Sequence, residues 1–426
     1  MHRLEVTLKQ HTPLIHFQHD QEGATLRASE VKPKLDRFIL TKLGNKYSST
    51  EDLNYKMKIS SKGEKTEYII SSRLDRNKPQ LLKEEGFEVI EESQYFAQES
   101  EYQIFEYIDR KNKKLGYQFK FKRGDKYKEA LKKLSKKGVK YDTTEVFISS
   151  YDEELMFQII DLLPEFFVIE NFGTRNGKGF GSYTVQSMKI NNAEIQFSKN
   201  IDMWLKNNYD FVYKKDFQEG ESPFSVIHKD YKLIKAGHGS FEGYAKSKLM
   251  LYGLSLEKKQ RWEKKFIKEQ TNNVFATPID EDYYVLKDNQ RHVNTNKGSG
   301  NHYYLRAFLG LTEQFEFLLE NPPDNNTNNK LLVKMNSNDD IQRFKSPLIF
   351  IVIDNTIYLA GNEIKEDIRD KSFTLFATIQ GDDEWENEEI DRLIKTPDFF
   401  SLRKFMYFAM RDTKEKKLNY TIIKET

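Results

Sequence analysis

Four glycines crowd nine residues of this chain: Gly173, Gly177, Gly179 and Gly181, within FGTRNGKGFGSYTV. An apolar helical stretch, EELMFQIIDLL, precedes them, and an alternating strand, SYTVQSMKI, follows. Glycine permits positive φ and removes Cβ, so backbone N–H groups in such a loop can line up against an anion. Arg175 and Lys178 lie between the glycines and supply charge. Phe180 either stacks on a base or anchors the loop to the sheet. The run is not a Walker loop, because no GK[ST] ends it ahead of a helix. It is not the dinucleotide fingerprint either, because that motif opens a helix after a strand. The order here is helix, loop, strand. Two readings stay open: an anion-gripping loop, or a flexible αβ connection.

A second candidate anion site is GATLRASEVKPKLDRF. The spacing of Leu35, Phe38, Ile39 and Leu43 predicts a helix, with Ser29 as N-cap and Pro33 in the first turn. Arg27, Lys32, Lys34 and Arg37 stand at or near its start, where exposed N–H groups favour anions. The same residues also suit a solvated amphipathic helix.

Net charge is only +2, from 68 basic and 66 acidic residues, which excludes a strongly basic nucleic-acid scavenger. Charge is nevertheless segregated. Arg110 to Lys140 holds 14 Lys or Arg against two acids, and Asp382 to Asp391 holds seven acids and no base. Within the basic stretch, Lys113, Lys114, Lys120, Lys122 and Arg123 form a track suited to phosphate; the acidic stretch suits a basic protein or solvent. The chain has no cysteine, which excludes disulfides and thiolate metal sites. No apolar run approaches the length of a membrane span, and the start lacks the apolar core of a signal peptide. A soluble cytoplasmic protein without membrane contact or small-molecule cofactor is expected.

Alternation from Leu4 to Leu8 predicts a first strand. After the helix, two hairpins are expected: LNYKMKIS with TEYIISS about the turn Ser60–Gly63, and YQIFEYI with LGYQFKFK about Asp109–Lys114. A basic helix over Lys126–Lys137, a strand TTEVFIS, the apolar helix, the glycine loop and a last strand complete residues 1–200. That order is compatible with a ferredoxin-like domain carrying insertions. Residues 201–426 read as a second α+β domain. It holds a helix-rich stretch from Phe241 to Gln270 and the hairpin KSPLIFIVID–NTIYLAG across Asp354–Asn355. The strand SFTLFATI, the helix DFFSLRKFMYFAMR and a closing NYTIIK follow. Two domains also suit 426 residues.

Together these segments resemble the RAMP superfamily of CRISPR effector proteins. The matching pieces are TPL at Thr12–Leu14, RASEVKPKLDR at Arg27–Arg37 and GTRNGKGFGS at Gly173–Ser182. YLRAFLGL at Tyr304–Leu311 and RFKSPLIFIVI at Arg343–Ile353 look like the second half of the first subunit of type III-B (Cmr) complexes. The resemblance implies two ferredoxin-like (RRM-like) RAMP domains with insertions. It implies a non-catalytic RNA-binding subunit that holds guide RNA (crRNA), target RNA or both near the 3′ end of the guide, beside other RAMP subunits. Arg27, Lys32, Lys34, Arg37 and the glycine loop would then contact RNA, and the basic track would extend the contact. The sequence departs from the pattern at Pro33, where the family usually has Gly. Asp36 stands where its second arginine falls, with Arg37 one place later, and Asn176 stands where the loop often carries a basic residue.

Two other readings remain. RNA cleavage through the 2′-hydroxyl can use His or Asp as general base without metal, which makes His16, His19 and Asp20 the candidates for an endoribonuclease. His11, His16 and His19 lie close in sequence, but their spacing does not force the convergence a metal needs. The third reading is a protein-binding adaptor without RNA affinity.

Overall fold

The computed structural model describes residues 1–18, 25–44, 46–70, 88–90, 105–109, 114–118, 136–240, 243–256, 263–264, 266–268, 270, 302–311, 314–318, 330–339, 341, 344–365, 368–380, 387–412 and 417–425. The chain is α+β and forms two compact units. One comprises residues 1–228, 349–360 and 421–424; the other comprises 229–348, 361–420 and 425–426. The sequence reading divides the chain at residue 200 and gives everything after it to a second domain. In the structure three later segments belong with the first unit, because their strands complete one of its sheets.

The first unit is built on β1 (His2–Gln10), α1 (Ala28–Leu43), β2 (Tyr55–Ile70), β6 (Lys136–Ser150), α2 (Glu153–Ile169) and β7 (Tyr183–Ile190). Between β2 and β6 lie β3 (Glu88–Ile90), β4 (Phe105–Asp109) and β5 (Lys114–Gln118); β8 (Ala193–Ile195) follows β7. The main sheet has the order β3-β2-β6-β1-β7-β8. The pairs β1–β6, β1–β7 and β2–β6 are antiparallel. Alternation does what its period requires: Leu4, Val6 and Leu8 of β1 and Val146 and Ile148 of β6 enter one core with Leu35 and Ile39 of α1 and Leu155, Ile159 and Phe166 of α2. The other side of β1 presents Arg3, Glu5 and Lys9 outward.

Local outcomes follow from caps and pairing. Asp152 caps α2 by accepting from the Leu155 amide at 3.0 Å. The N-cap of α1 is Arg27, not Ser29, and no side chain caps it; the helix begins earlier than predicted, so Pro33 sits in its second turn. The expected hairpin about Ser60–Gly63 is instead one 16-residue strand, β2. Its whole length pairs with β6, with a register shift between Lys62 and Lys65, and Asp142 Oδ2 accepts from the Glu64 amide there at 2.9 Å. Gly63 therefore marks a bulge rather than a turn. β4 and β5 do form the expected hairpin. The basic helix predicted over Lys126–Lys137 lies mostly outside the described residues, and Lys136 and Lys137 belong to β6.

The first unit has a second sheet. It joins α3 (Ile201–Asn208), β9 (Phe211–Asp216) and the start of α4 (Pro223–Lys235) to β14 (Leu348–Ile353), β15 (Thr356–Gly361) and β18 (Thr421–Lys424). Its strand order is β14-β15-β9-β18, so the predicted hairpin across Asp354–Asn355 exists, but in the first unit.

The other unit carries the small pair β10 (His238–Ser240) and β11 (Gly243–Ala245), α5 (Lys248–Ser255), a 3-10 turn at Leu305–Leu309, β12 (Gln314–Leu318), β13 (Lys330–Ser337), β16 (Ser372–Gln380), β17 (Asn387–Lys395) and α6 (Leu402–Arg411). Its larger sheet runs β12-β13-β16-β17. Aromatic rings fill the core: Phe308 stacks on Phe400 at 4.4 Å, and Tyr252 meets Phe405 at 5.5 Å. Two ion pairs are buried in it, Lys248–Asp412 at 2.8 Å and Arg306–Glu263 at 3.0 Å. Arg306 and the turn around it, picked out in the sequence, thus hold this core. Burial pushes Glu263 up to about 7 against the pull of Arg306.

Candidate nucleic-acid interface

The glycine-rich loop leaves α2 and enters β7 while gripping its own unit at nearly every step. Asn171 and Ser182 close its neck as an antiparallel bridge, with the Phe172 amide donating to the Gly181 carbonyl at 2.9 Å. The Gly181 amide donates to the Pro13 carbonyl at 3.0 Å, and the Thr174 amide to the Ile15 carbonyl at 2.8 Å. The Gly173 amide donates to Glu30 Oε1 of α1 at 2.6 Å. A turn within the loop is closed from the Lys178 amide to the Arg175 carbonyl at 2.9 Å. The loop also lies against β14: the Phe350 amide donates to the Gly177 carbonyl at 3.0 Å, and Asn171 Nδ2 donates to the Phe350 carbonyl at 2.8 Å.

Glycine is required here by close approach. At Gly181, with φ +68°, a Cβ would stand 2.0 Å from the Phe172 carbonyl oxygen; at Gly173, with φ +77°, it would stand 2.6 Å from that of Ile15. Gly179 is hemmed in by Ile227. The expectation that loop amides cradle an anion is thus corrected at Gly173, Thr174, Lys178 and Gly181, whose N–H groups are spent on the protein. Phe180 is corrected too: it is fully buried and stacks on Phe224 at 4.1 Å, so it anchors the loop and offers no face to a base.

The loop's cations behave differently. Arg175 adopts a left-handed backbone, φ 58°, uncommon for a residue with a side chain. Its Nε and Nη1, and the neighbouring Thr174 Oγ1, are buried and meet no hydrogen-bond partner among the described residues. Burial lowers Arg175 to about 10. Burial, and then the charge of Arg175, lowers Lys178 to about 8. Two like charges have been brought together and partly dried, an arrangement that an arriving anion relieves.

The helix cations divide. Lys34 is an internal pin: its Nζ donates to the Asn171 carbonyl at 2.8 Å, lies 3.4 Å from Glu170 and sits over the Phe172 ring. Lys32 is paired with the buried Asp36 at 2.8 Å and covers the Tyr55 ring; Tyr55 in turn donates to Asp36 at 2.5 Å. Arg27 donates to Gln18 Oε1 at 3.0 Å. Arg37 is exposed on α1. Lys32 and Lys34 are therefore committed to their own unit, because Asp36, Glu170 and Asn171 lie within reach. Lys113, Lys120, Lys122 and Arg123 lie outside the described residues, and Lys114 is placed only as the first residue of β5.

Of the proposed cleavage residues, His19 and Asp20 lie outside the described residues. His16 is buried at 1% exposure, and its Nδ1 accepts from the Gln18 amide at 3.1 Å, so it is not placed as an accessible base. His11 is a sheet-to-loop strut. Its Nδ1 accepts from the Asp354 amide at 3.0 Å, which leaves Nε2 to donate to Thr184 Oγ1 at 2.8 Å. Burial pulls it down to about 4, against the opposing pull of Asp354. Among the described residues, no three His, Asp or Glu are grouped to hold a metal ion, and no helix is long and apolar enough to cross a membrane.

Thr174 and Phe17 were missed in the sequence. Phe17 is 69% exposed in the turn after β1. The only signal available was a phenylalanine in a polar loop, HFQHD.

The chain is thus a two-unit α+β protein in which a glycine-rich loop carrying two cations joins a helix to a strand of the main sheet. Residues 1–238 match the Cmr1 N-terminal domain and residues 244–426 the Cmr1 C-terminal domain, and the chain belongs to the Cmr1 family. Among solved structures it is similar to Cmr1 from Pyrococcus furiosus in its apo form, at 11% identity and a TM-score of 0.36 over 99% of both chains. It is also similar to a chain of the type III-B Cmr-beta complex bound to cognate target RNA, at 13% identity and a TM-score of 0.27. That match covers 44% of this chain and spans 60% of the length of the other. No curated protein matches it.

Proposed function

We propose that this chain is a non-catalytic RNA-binding subunit of a type III-B CRISPR ribonucleoprotein. In that role it holds guide RNA, target RNA or both through the phosphate backbone, beside other RAMP subunits. Family membership supports the assembly. The observation that carries the RNA contact is Arg175, a half-buried residue whose Nε and Nη1 are enclosed and have no hydrogen-bond partner among the described residues, beside the desolvated Lys178. Guanidinium groups suit phosphate because their donors form a planar fork. The connectivity β1-α1-β2-β6-α2-β7, with β2-β6-β1-β7 as neighbours, supports a ferredoxin-like reading of the first unit. Arg27 and Arg37 would extend the contact along α1.

The test is RNA affinity across a salt series. For a single strand, each phosphate that the protein ceases to neutralise lowers the slope of log K against log salt by about 0.7. The double substitution Arg175→Ala, Lys178→Ala should weaken binding and flatten the slope by about 1.4. Unchanged affinity and slope would remove the loop from the interface.

A further inference from the structure

Resting on the phosphate reading of the loop, we infer that Phe17 is a stacking platform for a nucleobase, and that with Thr174 and Arg175 it forms a site for a short single-stranded piece of RNA. Four large rings stand exposed among the described residues: Phe17, Tyr151, Phe157 and Tyr407. Of these, only Phe17 lies within two residues of a segment hydrogen-bonded to the glycine loop. The Thr174 amide donates to the Ile15 carbonyl at 2.8 Å. Phe17 lies two residues beyond Ile15, and Arg175 lies one beyond Thr174. That path limits the two backbones to a separation of at most about 18 Å, from three residue steps of about 3.8 Å and about 6.7 Å from Cα to Cα through the hydrogen bond.

The ring is held in place before any ligand arrives. His16 backs it from the core, with ring centroids 4.3 Å apart and planes at 35°. The Gln18 amide is tied to His16 Nδ1 at 3.1 Å, and the Gln18 side chain accepts from Arg27 at 3.0 Å. One side of Phe17 is thus braced while most of the residue faces solvent. A braced aromatic surface within a few residue steps of a guanidinium whose Nε and Nη1 are enclosed and unpartnered among the described residues offers a π-face and a phosphate grip to one strand, which is the chemistry of sequence-tolerant single-strand binding. Pre-organisation spares the ordering cost on binding. The partner is therefore a single strand with unpaired bases, since a duplex keeps its bases stacked inside.

The experiment uses the full chain and two fluorescein-labelled probes, an oligouridylate and a ribose-phosphate oligomer of equal length without bases. Phe17→Leu should weaken oligouridylate binding by about fivefold to a hundredfold, leave binding of the abasic oligomer unchanged, and keep the wild-type salt slope, because no charge is removed. Phe17→Trp should retain affinity. The thermal midpoint of Phe17→Leu should match wild type, since the ring is exposed. Wild-type affinity for oligouridylate in Phe17→Leu, or equal losses on both probes, would overturn the stacking site. If Phe17→Leu shows no loss while Arg175→Ala, Lys178→Ala does, stacking falls and the phosphate reading stands. If the double cation variant binds like wild type while Phe17→Leu loses only base-bearing RNA, the loop reading falls and the platform stands.

Discussion

Replacing Lys178 with methionine should make the free protein more stable and its RNA binding weaker. Burial and the neighbouring Arg175 hold Lys178 at about 8, against 10.5 for an ordinary lysine. At 1.36 kcal/mol per tenfold change in proton affinity, keeping that ammonium charged in the fold costs about 3 kcal/mol at pH 7, an upper value. The sign follows from linkage. Between pH 8 and 10.5 the unfolded chain holds the proton that the folded chain has released, so stability rises with pH through that window and is lowest below it. Methionine keeps much of the length and apolar stem of lysine without the charge. Lys178→Met should therefore be more stable than wild type at pH 7, by several degrees in thermal midpoint, and the advantage should vanish by pH 10.5.

The assay is thermal unfolding of both proteins from pH 7 to 10.5, read as a difference so that other titrating groups cancel. Saturating oligouridylate should narrow the gap at pH 7, because a phosphate at the loop stabilises the charged lysine of the wild type alone. A methionine variant that is less stable than wild type at pH 7, or a difference that does not change with pH, would refute the account of Lys178 as a strained cation.

Gly181→Ala should cost about 3–5 kcal/mol, since its Cβ would meet the Phe172 carbonyl oxygen at 2.0 Å and break the neck of the loop. Gly220→Ala, at φ +84° with nothing within 4 Å, should lose only about 1 kcal/mol from backbone strain, and denaturant midpoints of the two variants test the difference. In the other unit, Asp412→Ala leaves the Lys248 ammonium buried without its 2.8 Å partner and should destabilise by about 3–5 kcal/mol. Calorimetry measures that loss, and RNA affinity of the folded variant should be unchanged.

What could be read from the sequence was what depends on period and local chemistry. The alternation of β1, the β4–β5 and β14–β15 hairpins and the order around the glycine loop all follow from residues close together in the chain. The failures came from pairing at long range. Gly63 has the signature of a turn, and it became a bulge because β6 supplies partners for β2 on both sides of it. Sequence position alone assigns the strands of 348–361 to the second domain, yet their partners are β9 and the loop at Gly177. Lys34 looks like a phosphate ligand in the sequence, since nothing in a helical wheel reports that Glu170 and Asn171 will occupy it; the pairing of Lys32 with Asp36, four residues on, is legible in the wheel.

The same distinction sharpens the reading of the glycine loop. A cluster of glycines is compatible with a backbone cradle, a flexible connection or a tightly packed turn, and composition does not separate them. Here the amides of Gly173, Thr174, Lys178 and Gly181 are all satisfied internally, and Phe180 is locked under Phe224. A loop so anchored is stiff, and its remaining polar capacity lies in the side chains of Thr174 and Arg175. The glycines thus act one step removed from any ligand: they let the backbone pack closely enough that the half-buried Arg175 is held at a fixed place with its Nε and Nη1 enclosed and under-satisfied. A flexible connection would let Arg175 swing to water and lose that tension. The internal hydrogen bonds therefore count against a mere linker, even as they correct the expected role of the amides.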